Sequence, residues 1–132
     1  MKALVMKKLI AILILGLFSS LALAQSDMGK QATPVQTVAK ILFNLNHYPS
    51  DKEKEKLRAI ADNRENSKAI QTIAMAIHNM QHSVSASDKG KLQAIIDSAD
   101  ASKSEKTLAE ILIGITHMPG NEAKDKLSEL KK

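Results

Sequence analysis

The chain contains no cysteine and very few aromatic residues. Without cysteine, no disulfide can stabilise the fold, and no lipid can be attached to an N-terminal cysteine. Trp is absent, and one Tyr and two Phe are present among the 132 residues. The core therefore has to be built from Leu, Ile, Val, Ala and Met, and stability has to come from the packing of these side chains.

Catalytic motifs are missing as well. The sequence has no cysteine nucleophile, no glycine-rich phosphate loop, no H-E-x-x-H motif and no G-x-S-x-G motif. The acidic segment at residues 97–105 lacks the glycine and the spacing of a calcium-binding loop, and we interpret it as a linker between helices. These absences predict a protein that is not an enzyme and that uses no organic cofactor.

The first 24 residues have the pattern of a secretory signal peptide. Three lysines precede an apolar run at residues 9–18, and an A-x-A cleavage signal ends at Ala24. The run is shorter than the roughly 20 residues that a spanning helix needs, so we expect cleavage after Ala24, no membrane anchor afterwards, and a periplasmic or secreted protein. Because those lysines belong to the signal peptide, cleavage lowers the net charge from +5 to +2, and nucleic-acid binding is not predicted.

A repeat of 35 residues organises the rest of the chain. Residues 37–60, 72–95 and 107–130 align without insertion or deletion, and the same residue types recur at matching positions. The matched positions include Thr37/Thr72/Thr107, Ala39/Ala74/Ala109, His47/His82/His117 and Leu57/Leu92/Leu127. We infer that these three segments are copies of one structural unit.

Each unit is predicted to contain two helices joined by a bend. In the first helix, Val38, Leu42 and Leu45 follow the 3.6-residue period of an α-helix, and a second apolar stripe indicates an inner position. Glu105 interrupts the corresponding stripe of the third unit. In the first two units the second helix begins at a serine followed three residues later by an acid, as at Ser50, whereas the third unit has Gly120, a poorer cap. The second helix of each unit has only a narrow apolar edge.

The fold class is accordingly predicted to be all-α, either a short solenoid of three helical hairpins or a compact six-helix bundle. The predicted organisation is a signal peptide at 1–24, a flexible lead-in at 25–32, and one domain at 33–132 with units at about 33–66, 67–101 and 102–132.

The repeated histidines are the sharpest chemical feature. Imidazole is a common metal ligand, and Met80 and Met118 lie close in sequence to two of the histidines, which would suit copper. His78 and His82 have the i, i+4 spacing that lets two side chains on one helix reach the same ion, and we rank this pair first. The candidate ligands are His47, His78, His82 and His117, and the candidate metals are copper and zinc.

A structural role for the repeated histidines is the favoured alternative. Each is predicted to lie in the last turn of an inner helix, where an imidazole can donate to free carbonyl groups and interact with the negative end of the helix dipole. Since packed helices lie about 8–10 Å apart, three equivalent histidines would reach one ion only if the units converged on that side.

A K-x-K pair also recurs in each outer helix. Interspersed acids favour an ordinary solvated face, whereas the alternative is a basic ridge along the stack that binds an acidic partner or an anionic lipid surface. The lysines of this candidate ridge are Lys54, Lys56, Lys89, Lys91, Lys124 and Lys126.

The leading functional hypothesis is a secreted or periplasmic binding module with a protein or peptide partner. Stacked helical hairpins present a face that is assembled from equivalent positions of successive units, and such faces bind other chains. Two alternatives remain open: a metal-binding protein that uses the repeated histidines, and a stress-response holdase with exposed apolar surface.

Overall fold

The structure, a computed structural model, describes residues 31–132. The predicted signal peptide and residues 25–30 of the predicted lead-in lie outside the described residues. Residues 32–132 form one compact unit. Within the described range the fold is all-α, as predicted, and none of its helices is long and apolar enough to cross a membrane.

Six helices follow one another along the described chain. Their bounds are α1 Pro34–Phe43, α2 Asp51–Asp62, α3 Lys68–Asn79, α4 Ala86–Asp97, α5 Lys103–Gly114 and α6 Asn121–Leu130. Each repeat unit therefore contributes an inner helix (α1, α3 or α5), a bend, and an outer helix (α2, α4 or α6).

Capping residues set where these helices begin. The side chain of Ser50 accepts a hydrogen bond from the Glu53 backbone N–H, and the Glu53 carboxylate accepts one from the Ser50 backbone N–H, which completes the predicted capping box of α2. Ser102 and Glu105 make the same arrangement at α5. At α4 the hydroxyl of Ser85 accepts the bond but no return bond is formed, in keeping with the weaker Asp version of the box.

The inner and outer helices differ in burial as the sequence predicted. Inner helices bury most of their apolar residues, whereas α2 and α6 each bury one, the repeated leucine. Leu57, Leu92 and Leu127 are all fully buried. The outer helices thus cover the core with one narrow edge, and their other faces carry the charged residues.

Helix packing closes the three units into a ring. The tightest pairs join neighbouring units, because α2 packs on α3 and α4 packs on α5. We call each of these packed pairs a joint. A third joint connects the last helix to the first, since α6 packs on α1. The three inner helices also contact one another at the centre. Of the two arrangements that the sequence left open, these contacts produce the closed six-helix bundle.

Candidate metal-binding histidine cluster

The bends of the three units meet at one end of the ring. The backbone N–H of His47 donates to the carbonyl of His117 at 2.7 Å, and the N–H of His117 donates to the carbonyl of His82 at 2.8 Å. Backbone hydrogen bonds therefore hold the three repeated histidines together, whatever conformation their side chains adopt.

The three imidazole rings lie side by side in what we call the histidine cluster, His47, His82 and His117. Ring centroids are 5.9 Å apart for His47 and His82, 5.1 Å for His47 and His117, and 5.0 Å for His82 and His117. All three residues are exposed. The cluster is therefore open to solvent and to solutes.

Two of the three histidines sit in strained turns. His47 has a φ of 72° and His117 a φ of 69°, and in each case the N–H of the next residue donates to the carbonyl of the preceding one, from Tyr48 to Asn46 and from Met118 to Thr116, at 2.9 Å. Positive φ with this i→i+2 bond is the geometry of a rare, strained γ-turn. Glycine is the residue that such a backbone favours on conformational grounds.

The second unit reaches the cluster without this turn. His82 is not among the described residues with positive φ, and its unit has Ser83-Val84 where the others have Tyr48-Pro49 and Met118-Pro119. A proline restricts the preceding residue to extended conformations, which favours the tight turn in the first and third units. Tolerance of positive φ therefore does not explain why all three units carry a histidine at this position. The feature that all three share is the convergence of their rings.

One ring already has a partner of the kind found beside metal ligands. Nδ1 of His47 lies 2.8 Å from Oδ1 of Asn46, and because an amide oxygen only accepts, Nδ1 carries the hydrogen and donates it. This bond leaves the Nε2 lone pair of a neutral ring free. Ligating histidines commonly donate their other N–H in this way, which fixes the ring and its tautomer.

The separations of the rings in the cluster suit one bound ion, but the orientations of the rings do not. Three imidazoles at N–Zn distances of about 2.0–2.1 Å from one zinc ion have ring centroids roughly 5 Å apart. As the side chains stand, the His, Asp and Glu residues between 31 and 132 include no group of three that could hold a metal ion, and the rings of the cluster meet edge to face or tilted. Binding therefore requires rotation about side-chain bonds, which exposure permits.

The structure corrects two predictions about the histidines. The inner helices end at Phe43, Asn79 and Gly114, so the repeated histidines lie three or four residues beyond them and not in their last turns. Among the described side-chain hydrogen bonds, none joins a cluster ring to a helix carbonyl, so the capping role is wrong. The helical i, i+4 relation of His78 and His82 is also wrong, because α3 ends between them.

His78 occupies a different place. It is the repeat equivalent of Phe43 and Ile113, its Nδ1 lies 3.0 Å from Oδ1 of Asn79, and it lines a surface cavity with residues of α2 that include Glu55 and Arg58. It is not one of the rings that meet in the cluster.

The two methionines near the histidines also differ. Met80 is 3 % exposed and belongs to the core, so it is not positioned as a ligand, whereas Met118 is 48 % exposed. Tyr48, at the repeat position equivalent to Met118, is 61 % exposed. A thioether and a phenol therefore follow two of the cluster histidines at the surface.

The K-x-K pairs lie on three helices that do not contact one another, since no packing joins α2, α4 and α6. Lys91 and Lys126 pair with acids of their own helices, at 3.7 Å from Asp88 and 3.0 Å from Glu122. The Nζ of Lys124 lies 5.8 Å from the ring centroid of Phe43. The pairs are thus spread around the ring, and binding of an acidic partner there stays a prediction.

The described residues thus define a closed ring of three helix–bend–helix units that carries an exposed histidine cluster. No protein-family model matches the chain, and comparisons with curated proteins and with solved structures find no match.

The strain at the bends predicts opposite effects of glycine at His47 and His82. His47→Gly is expected to be at least as stable as the native protein, because glycine adopts φ 72° without strain, whereas His47→Ala keeps the Cβ and its strain and should stay within about 0.5 kcal/mol of the native protein. His82→Gly is the matched control and should lose roughly 0.5–1 kcal/mol, since the freedom of glycine brings no relief there. Urea unfolding measures all three, and equal losses for both glycine variants would contradict the strain at His47.

Proposed function

We propose that this protein binds one transition-metal ion per chain through the histidine cluster. The observation that carries the proposal is the convergence of His47, His82 and His117 to ring centroid separations of 5.0–5.9 Å at an exposed end of the ring. Imidazole suits zinc and copper, the two metals that the sequence suggested.

The backbone supports the proposal over a purely structural role. Two of the three histidines occupy positions where glycine would relieve strain, and all three rings are exposed and contribute no buried packing. A residue other than glycine that is held at positive φ is a reason to suspect a functional role. The feature shared by the three positions is that their rings lie within 5.9 Å of one another, so that rotation of exposed side chains could bring three ring nitrogens to one ion.

Three ligands from the protein leave a position open on the ion. Zinc sites with three protein ligands keep a water or a substrate at the fourth position, whereas structural zinc sites are closed by four. An exposed site of this kind supports reversible binding and hand-over of an ion to another molecule. The cluster also lies outside the hydrophobic core, so the fold does not depend on the metal.

A metal titration tests the proposal. Isothermal titration of the purified, chelator-treated protein with Zn²⁺ or Cu²⁺ is expected to give one saturable site per chain, and NMR with diamagnetic Zn²⁺ should show the shifts concentrated at the imidazoles of His47, His82 and His117. Mg²⁺, which prefers oxygen ligands, is the control and should give no shifts there. Absence of a saturable site for both transition metals would overturn the proposal.

Secretion to the periplasm and binding of a protein or peptide partner stay predictions from the sequence. Exposed Tyr48 and Met118 beside the cluster are the kind of residues that contact a partner. In the present proposal such a partner would exchange the ion with this protein.

A further inference from the structure

A second feature separates one joint of the ring from its repeat equivalent. A cavity of about 520 Å³ opens between the start of α3, the end of α4 and the start of α5. Its volume lies within the range of small-molecule sites, and its lining is mostly apolar. Glu105 is one of its lining residues, and we call it the Glu105 cavity.

Two differences from the joint of the first and second units accompany this cavity. There, the part-buried side chain of Asn66 donates to the carbonyl of Ile60 at 3.0 Å. The repeat equivalent of Asn66 is Ala101, which has no side-chain donor and lines the cavity. The cavity thus lies at the place where this joint has a smaller side chain than the other.

The second difference places a carboxylate in the cavity wall. Glu105 stands where the other units have Val35 and Ile70, yet it is only 7 % exposed. The Ser67 hydroxyl donates to one of its oxygens, and the Ser102 backbone N–H donates to the other at 2.8 Å. Among the ion pairs of the described residues, none involves Glu105. The carboxylate thus accepts hydrogen bonds within its capping box but has no cation beside it, and a cationic guest would supply that counter-ion.

The other ionisable groups of the cavity favour the same guest. Lys91 lies at the cavity but is paired with Asp88 at 3.7 Å. The groups that remain are the carboxylates of Glu105 and Asp100 and the ammonium of Lys68. Carboxylates outnumber unpaired ammonium groups, so a cation is favoured over an anion.

We propose that the Glu105 cavity binds a small organic amine with an apolar body, with the Glu105 carboxylate as its counter-ion. The apolar body would lie against Ala94, Ile95 and Ala101, while the ammonium donates to Glu105. This site is independent of the histidine cluster.

Three ligands with a similar apolar chain and different head groups separate the contribution of charge to binding from that of apolar burial. Hexylammonium, hexanol and hexanoate are titrated into the native protein in the presence of a chelator and followed by NMR of the Ala94 and Ala101 methyl groups. Hexylammonium is expected to give saturable shifts and the other two weaker or none. Equal binding of hexanol would overturn the role of the carboxylate.

Two variants complete the test. Glu105→Gln keeps an oxygen that accepts from Ser67 or Ser102 but removes the charge, and it should weaken hexylammonium binding by roughly tenfold or more, as expected for a charge-assisted hydrogen bond. Ala101→Asn restores the residue of the neighbouring joint, keeps the charge and should weaken binding, because its carboxamide takes up part of the space of the apolar body. Unchanged affinity in either variant, with the fold intact by circular dichroism, would contradict the proposal. Metal binding at the histidine cluster should be unaltered in both.

Discussion

Leu127→Ala is expected to lower the free energy of unfolding by as much as Leu57→Ala does, about 2–5 kcal/mol in each case. Both leucines are fully buried and occupy the same position of the repeat. Leu57 belongs to α2, which packs on α3, and Leu127 belongs to α6, which packs on α1. Equal losses follow only if the joint of the last helix with the first is equivalent to the joints between neighbouring units.

The comparison distinguishes a closed ring from an open stack. In an open stack α6 would be a terminal helix without the cover of α1, and truncation of Leu127 would cost much less than truncation of Leu57. Asp125→Ala is the matched control, because Asp125 is an exposed residue of the same helix, and it should change stability by no more than about 0.5 kcal/mol. Urea unfolding with equal m-values measures the three variants, and a small loss for Leu127→Ala would contradict closure.

The helices and their order follow from local signals in the sequence. Apolar spacing at Val38 and Leu42 predicts an inner helix, and Ser50 with Glu53 predicts where the next helix begins. These signals act within a few residues, and the structure bears them out. The apolar spacing recurs in all three units, whereas the start signal recurs at Ser85 and is replaced by Gly120 in the third unit.

Closure of the ring does not follow from the same signals. Whether α6 meets α1 depends on the small rotation between successive units, which accumulates over three copies. No single residue encodes this rotation. The sequence therefore left a solenoid and a bundle as alternatives, and the contact of α6 with α1 decides between them.

The position of the histidines also depends on how successive units are arranged in space, which no local signal in the sequence encodes. Spacing placed His47 at the end of a helix, yet α1 ends at Phe43 and a bend follows. The bends converge because the inner helices meet at the centre of the ring, and only then do the rings approach one another. Glu105 is different, since a charged residue in an apolar stripe was visible in the sequence, but its burial beside Ser67 required the fold.

Single substitutions in the histidine cluster are expected to have the largest effect on metal binding. His47→Gln, His82→Gln and His117→Gln should each weaken Zn²⁺ or Cu²⁺ binding by more than about 100-fold, because loss of a ligand exceeds the 10–100-fold effect of losing a residue that only orients one. Asn46→Ala should fall in that smaller range, since Asn46 accepts from Nδ1 of His47.

The matched control is His78→Gln, which removes a histidine outside the cluster and should leave the affinity unchanged. His82 is exposed and is not among the described residues with positive φ, so metal-free His82→Gln should unfold within about 0.5 kcal/mol of the native protein. A loss of affinity with unchanged stability identifies a ligand, because a residue kept for the fold alone would change stability and leave the ion bound. Unchanged affinity in His82→Gln, or a large loss in His78→Gln, would refute the assignment of the three converging rings as the site.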